Sequence, residues 1–252
     1  MQFALKGDAA LNRLPMPLYH GTSTLFLKGI LESGLGGQNP IESWGIFNFV
    51  EELWPLVEKH LAKEDEFMLR ADSFSRMVNQ TSAAMNFQHG DTYLSPSQMT
   101  AARYASNQPY GSEILSYALE LLEELVRRKV DGVADELYQR HPQIFNFMDI
   151  SPAPLIIEVV NCPVEWLVTE NGENAGDQLE QILEFWNSDK QMLEIIGQQT
   201  NFRLTDPVGA DGLKIWLLNV LQWRSFNPEY QKFLLDLSEV PGGRSVSCKS
   251  SS

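Results

Sequence analysis

His20 is the residue whose type and position first suggest chemistry in this chain of 252 residues. It lies in an apolar run after Leu18 and Tyr19, and Gly21 follows it, so that the backbone there can approach a ligand. An imidazole in such a place needs hydrogen-bond partners for both ring nitrogens. Two interpretations stay open: a histidine satisfied within the fold, or one that contacts a bound ligand.

Two segments of the chain share the order strand, turn and helix. In the first, residues 18–22 are a predicted strand, and Gly34 is the predicted end of the helix that follows. In the second, residues 92–95 are a predicted strand, and an alanine-rich helix is predicted over residues 97–107. Each predicted strand is expected to present its polar residues close to the start of a helix.

The remaining patterns predict an α+β class. Helical periodicity dominates residues 38–90 and 112–150, which we interpret as helical insertions. Strand composition recurs later in the chain, at residues 154–161, 163–173, 201–207 and 212–223. Residues 177–197 are predicted to be helical, and residues 228–240, with Pro228 in the first turn, are predicted to form a terminal helix.

Three short motifs in the two strand-and-helix segments carry a family resemblance: Tyr19-His20-Gly21-Thr22, then Tyr93-Leu94-Ser95, then a helix with Ala101, Ala102, Tyr104 and Ala105. Together they resemble the ADP-ribosyltransferase superfamily. The nearest branch is the poly(ADP-ribose) polymerase and diphtheria-toxin type, whose core motif is His-Tyr-Glu. The spacing from Tyr93 to Tyr104 matches that of the polymerases.

The resemblance implies a binding site for NAD⁺. It implies that backbone groups of Gly21 hold the nicotinamide carboxamide and that His20 bonds a hydroxyl of the adenosine-side ribose. It also implies that the rings of Tyr93 and Tyr104 stack on nicotinamide. These roles fit elementary chemistry, because a flat, electron-poor ring favours aromatic faces and an amide needs a donor and an acceptor.

Hydroxyl side chains beside these residues complete the implied site. Thr22 and Ser95 are included among the expected NAD⁺-binding residues. The serine with which the family also meets the carboxamide falls on Ala101. That contact is therefore either missing here or supplied by Ser95 or Ser97.

The third motif position holds an amide in place of a carboxylate. The family's last core strand often reads Ser-Glu-Tyr, then apolar residues and Asp-Pro, and residues 200–207 fit this frame with Asn201 where Glu stands. Asparagine bonds a ribose hydroxyl but supplies neither negative charge nor a base. Three interpretations of Asn201 stay open: a natural variant in a mono-transferase, an inactivated NAD-binding fold, or a substitution made so that a toxic enzyme could be produced. Alternatively, Gln199 or a carboxylate elsewhere serves in its place. We interpret Glu158 and Glu165 as solvent-facing members of strands.

The resemblance implies a mono-ADP-ribosyltransferase, with His20, Tyr93 and Asn201 as its catalytic residues. Such an enzyme cleaves the nicotinamide–ribose bond of NAD⁺ and transfers ADP-ribose to a macromolecular acceptor, a protein or a nucleic acid. By analogy it is a bacterial or phage-defence toxin or effector, with an antitoxin or inhibitor as partner. The alternative is a catalytically inactive NAD- or ADP-ribose-binding interaction module. RNA 2′-phosphotransferases also begin Tyr-His-Gly-Thr but need several arginines, and residues 1–60 hold only Arg13.

Composition limits the partners and the compartment. A net charge of −14 and a pI near 4.7 oppose long-range attraction to nucleic acids and anionic lipids. The two cysteines, Cys162 and Cys248, form no disulfide framework, and no metal-binding motif is present. The N-terminus is not typical of a secretion signal, and no apolar run is long enough to span a membrane. We expect a cytoplasmic protein, or a secreted effector that acts in a host cytosol, without metal or membrane.

The expected organisation is one domain over residues 1–241, followed by a disordered tail at residues 242–252. No Pro/Gly/Ser-rich linker divides the interior of the chain. The resemblance implies a split antiparallel β-sheet core of the ADP-ribosyltransferase type, elaborated by the two helical insertions.

Overall fold

The computed structural model describes residues 12–81, 89–224, 226–236 and 247–250. The predicted α+β class is confirmed, because helices and antiparallel strands are both abundant. Within the described residues, no helix is both long enough and apolar enough to cross a membrane.

The helices are α1 (Thr24–Ser33), α2 (Pro40–Ser43), α3 (Ile46–His60), α4 (Met68–Val78), α5 (Gln98–Asn107), α6 (Glu113–Arg127), α7 (Tyr138–Arg140), α8 (Pro142–Met148), α9 (Gly176–Ser188) and α10 (Lys190–Gly197). The strands are β1 (Leu18–Ser23), β2 (Thr92–Leu94), β3 (Pro154–Val159), β4 (Leu167–Thr169), β5 (Phe202–Leu204), β6 (Leu213–Arg224), β7 (Asn227–Asp236) and β8 (Ser247–Ser250). Short 3₁₀ turns precede β4 and β6 at Val164–Trp166 and Ala210–Gly212, and a π-helical turn precedes α7 at Val133–Leu137.

The strands form two antiparallel sheets that meet at β1 and β2. One sheet has the order β1-β3-β6-β7-β8, and the other has the order β2-β5-β4. Just after β2, Ser95 and Tyr19 of β1 exchange two backbone N–H···O hydrogen bonds, each of 2.8 Å. The chain after β2 is thereby fixed against β1, while β2 itself pairs with β5.

Helix α5 packs directly on the backbone of β1. A Cβ atom added to Gly21 would lie 2.2 Å from the carbonyl oxygen of Ala101 and 3.0 Å from the amide nitrogen of Ala105. Only glycine permits this approach, and the small alanines of α5 face the sheet. The resulting cluster contains Ala101, Ala102, Ala105, Ile156 and Leu218, with Tyr19, Trp216 and Tyr230 packed against it.

Polar contacts fix the first turn of α5 to α10. The Ser97 hydroxyl accepts a hydrogen bond from the Thr100 amide at 3.0 Å, as an N-terminal cap does. The Glu194 carboxylate of α10 accepts bonds from the Ser97 hydroxyl and from the Met99 amide. Because α10 leads into β5, these contacts place the start of β5 beside the end of β2.

The chain divides into two compact units. Unit 1 comprises residues 1–38, 92–111 and 153–252 and holds both sheets. Unit 2 comprises residues 39–91 and 112–152, within two residues of the segments interpreted as insertions. Unit 2 is helical where it is described, and Phe49, Phe74 and Leu122 are fully buried in it.

The chain leaves unit 1 twice, for residues 39–91 and for residues 112–152. In each case the residues of unit 1 on either side of the segment lie close together. A Cβ atom on Gly36 would lie 3.7 Å from the Thr92 hydroxyl oxygen. The Thr22 hydroxyl donates to the carbonyl of Gly111 at 3.3 Å, and Ala153 exchanges hydrogen bonds with Thr24 at 2.9 and 3.0 Å. The residues of unit 1 that flank each of these two segments are therefore held at β1 and α1 or just after α1.

The terminal helix predicted over residues 228–240 is wrong for the described part, because Asn227–Asp236 form strand β7. Residues 227–234 pair with β6 in a long hairpin, so backbone pairing and the packing of Tyr230 outweigh local helical propensity. Residues 247–250, assigned from sequence to a disordered tail, form β8 on the edge of β7. The rest of that tail, and residues 237–240, lie outside the described residues.

Candidate functional site

His20 links the two sheets through its side chain. Its Nδ1 atom lies 2.9 Å from the backbone oxygen of Tyr93. A carbonyl only accepts hydrogen bonds, so Nδ1 carries the hydrogen. Burial lowers the pKa of His20 below its usual 6.5, although the bond to Tyr93 acts in the opposite direction. The ring is therefore neutral at pH 7, and its Nε2 atom is a hydrogen-bond acceptor.

The backbone N–H and C=O groups of Gly21 point to the edge of β1 at which the two sheets diverge. In a strand, the backbone N–H and C=O groups of alternate residues point to the same edge. Those of Tyr19 point toward Ser95, so those of Gly21 point to the same edge. β2 ends at Leu94 and pairs with β5, which places Gly21 beside the gap between the sheets.

Tyr93 and Asn201 occupy the same face of the smaller sheet. Tyr93 is directly opposite Arg203 in the register of β2 and β5, so both side chains project to one side. Leu94 and Phe202 project to the other side and are fully buried. Asn201 immediately precedes β5, two residues before Arg203, and therefore belongs to the face of Tyr93.

Asn201 is hydrogen bonded to Glu170. Its Nδ2 atom donates to Oε1 of Glu170 at 3.1 Å. The two residues are the next cross-strand positions after the last pair of β4 and β5, Thr169 opposite Phe202. Glu170 is exposed and was not among the sequence-predicted site residues. Its only sequence signal is its position at the end of a predicted strand, before Asn171-Gly172.

Tyr104 lies on α5 beside the residues that contact Gly21. Its neighbour Ala105 contacts the Gly21 backbone, and Tyr104 itself is 37 % exposed. The preceding residue, Arg103, donates to the side-chain oxygens of Asn227 at 2.8 Å and Gln198 at 3.2 Å. The helix is thus fixed on both sides of the tyrosine.

Thr22 and Ser95 use their hydroxyls within the fold. Thr22 is 2 % exposed and bonds Gly111, and Ser95 is 4 % exposed and donates to the Gly197 carbonyl at 2.9 Å. Ala101 is also buried, where it contacts Gly21. The structure joins His20 to Tyr93 by a hydrogen bond, and the strand register puts Asn201 on the face of Tyr93. The hydroxyls of Thr22 and Ser95 are engaged within the fold.

The two other carboxylates considered from sequence behave differently. Glu158 is only 9 % exposed, so its expected solvent-facing position is wrong. It accepts hydrogen bonds from the Lys214 ammonium at 3.0 Å and the Trp216 indole at 2.9 Å, as a buried charge requires. Glu165 is exposed, as expected. Neither residue is adjacent to Asn201.

Two hydrogen-bonded pairs stand out among the candidate residues: His20 with the Tyr93 backbone, and Asn201 with Glu170. No group of three His, Cys, Asp or Glu residues is placed to hold a metal ion in the part of the chain that the structure describes. Comparisons with protein-family profiles, curated proteins and solved structures gave no match.

Proposed function

We propose that this protein is a mono-ADP-ribosyltransferase that uses NAD⁺ as its substrate. The observation that carries the proposal is the bond between His20 of β1 and the Tyr93 backbone of β2, where the two sheets separate. This bond joins His20 and Tyr93, the residues at the first two positions of the His-Tyr-Glu motif. Asn201, at the third position, lies on the face of Tyr93.

The orientation of each group suits one part of NAD⁺. The Nε2 acceptor of His20 matches the hydrogen of a ribose hydroxyl. The backbone N–H and C=O of Gly21, at the gap between the sheets, match the oxygen and nitrogen of a carboxamide. The rings of Tyr93 and Tyr104 provide aromatic faces for the flat nicotinamide cation.

The reaction breaks the bond between nicotinamide nitrogen and ribose C1′. The bonding electrons leave with neutral nicotinamide, and positive charge develops on C1′ and the ring oxygen of the ribose. A nucleophilic group of the acceptor forms the new bond to C1′ and loses its proton. We propose a macromolecular acceptor, and the protein's net charge of −14 favours the approach of a basic one.

Replacing Tyr104 with alanine is expected to weaken NAD⁺ binding about 10- to 100-fold, since stacking of a base on an aromatic ring contributes roughly 1–3 kcal/mol. Isothermal titration calorimetry with NAD⁺ measures this. Tyr138→Ala is the matched control, because Tyr138 is 48 % exposed on a helix of unit 2. Equal affinities for the two variants would remove Tyr104 from the site.

The pH dependence of NAD⁺ binding follows from His20. Burial lowers the pKa of this ring, and protonation would convert the Nε2 acceptor into a donor. Affinity is therefore expected to decline as pH falls, with a midpoint below the usual histidine pKa of 6.5. A decline centred at or above the usual histidine pKa would contradict this assignment.

The second candidate is an NAD- or ADP-ribose-binding module without turnover, which the amide at Asn201 favours. Nicotinamide release from NAD⁺, measured by chromatography beside NAD⁺ binding, separates the two. Release that depends on enzyme concentration supports the transferase. Binding without release supports the module, and the absence of binding contradicts both.

A further inference from the structure

We infer that Glu170 supplies the carboxylate of the NAD⁺ site, held in place by Asn201. The inference rests on the proposed function, because it assigns a catalytic residue to that site. The amide of Asn201 is then a positioning group for a neighbouring acid. The negative charge that the family carries at its third motif position is then supplied by Glu170, at the end of the neighbouring strand β4.

The strand register brings Glu170 to the end of β4 beside Asn201. Val168 of β4 is opposite Arg203 of β5, which in turn is opposite Tyr93 of β2. Glu170 lies two residues after Val168, and Asn201 lies two residues before Arg203. Side chains two positions apart along a strand share a face, so Asn201 continues the face of Tyr93, and Glu170, in the turn after β4, is hydrogen bonded to Asn201 there.

In the hydrogen bond between the two side chains, Asn201 is the donor and Glu170 is the acceptor. Asn201 donates through Nδ2 to Oε1 of Glu170 at 3.1 Å. The bond uses one carboxylate oxygen, and Oε2 can accept a hydrogen bond from a ribose hydroxyl. Of the two side chains, the Glu170 carboxylate is the acidic one, and it lies at the third motif position through its bond to Asn201.

Two other carboxylates near the sheets have structural partners. Glu158 is bonded to Lys214 and Trp216, and Glu194 caps the first turn of α5. Among the residues that the structure describes, Glu170 is the carboxylate that the hydrogen-bond geometry joins to Asn201.

The chemistry requires such a charge. As the C1′–N bond of NAD⁺ breaks, a carboxylate beside the ribose stabilises the positive charge that develops on C1′. When the acceptor's nucleophile bonds to C1′, the same carboxylate can take its proton. Neutral nicotinamide, ADP-ribosylated acceptor and one proton are the products, and no oxidant or metal is needed.

The test compares Glu170→Gln with Glu165→Gln, which removes the same charge from an exposed residue before β4. Glutamine at 170 keeps an oxygen for the bond from Asn201. Nicotinamide release is expected to fall about 100-fold or more with Glu170→Gln. Its NAD⁺ dissociation constant should stay within about threefold of the parent's. Glu165→Gln should match the parent in both measurements, and thermal unfolding checks that all proteins are folded.

A double variant, Glu170→Asn with Asn201→Glu, exchanges the two ends of the hydrogen bond. It returns the carboxylate to the same face and is expected to recover release to within about tenfold of the parent. A merely structural role for Glu170 does not predict this recovery.

The outcomes separate this inference from the proposed function. Equal release by the Glu170→Gln and Glu165→Gln proteins overturns the role of Glu170 and leaves the transferase in place. NAD⁺ binding by the parent without release overturns the role of Glu170 and favours the binding module. A parent that does not bind NAD⁺ overturns the proposed function itself.

Discussion

Replacing His20 with alanine is expected to reduce nicotinamide release about 100-fold or more. The substitution removes the Nε2 acceptor for a ribose hydroxyl, and a neutral hydrogen bond contributes about 0.5–1.5 kcal/mol. It also removes the 2.9 Å bond from Nδ1 to the Tyr93 carbonyl. That bond positions β2 against β1, and a displacement of about 1 Å at a reacting group can cost about 100-fold in rate.

His60→Ala is the matched control for this prediction. His60 is the last residue of α3 in unit 2 and contributes to neither sheet. Nicotinamide release and NAD⁺ binding are measured for both variants, with circular dichroism to verify folding. Release unchanged in a folded His20→Ala protein would show that this histidine serves only the fold.

Replacing Gly21 with alanine is expected to destabilise the protein by about 3 kcal/mol, near the upper end of the usual cost of overpacking. The added Cβ would lie 2.2 Å from the carbonyl oxygen of Ala101, which belongs to helix backbone and cannot rotate away. Helix α5 or β1 has to move, and the cluster of alanines on α5 loses its packing. The free energy of unfolding from urea denaturation measures the loss.

Gly29→Ala makes the same chemical change with the opposite expected sign. Gly29 lies inside α1, and the nearest atom to an added Cβ is a side-chain oxygen of Gln38 at 3.8 Å. Alanine in a helix is favoured over glycine by about 0.5–1 kcal/mol, so this variant should be slightly more stable. Equal effects of the two substitutions would contradict the close packing of α5 on β1.

Local signals in the sequence were sufficient for the elements that carry His20 and Tyr93. The strand predicted at residues 18–22 and the helix predicted from Ser97 correspond to β1 and α5, because strand composition and the Ser97 cap are local signals. Gly34 ends α1 with a φ of 84°, as its position predicted. Such features depend on residues close together in the chain.

Long-range contacts explain what the sequence did not predict. Residues 227–236 have helical spacing, but they pair with β6 and place Tyr230 against α5. Glu170 joins Asn201 across two strands, 31 positions apart in the chain, and nothing near either residue indicates the bond. Glu158 is buried, contrary to the prediction, because Lys214 and Trp216 of the neighbouring strand β6 donate hydrogen bonds to its carboxylate.

The two excursions from unit 1 begin and end at neighbouring points of one scaffold. Gly36 lies beside Thr92, and Gly111 and Ala153 are both bonded to residues 22–24. Each helical segment of unit 2 could therefore be exchanged for a short turn without stretching a strand. Removal of both helical segments together would leave the strands that carry His20 and Tyr93 joined by short connections.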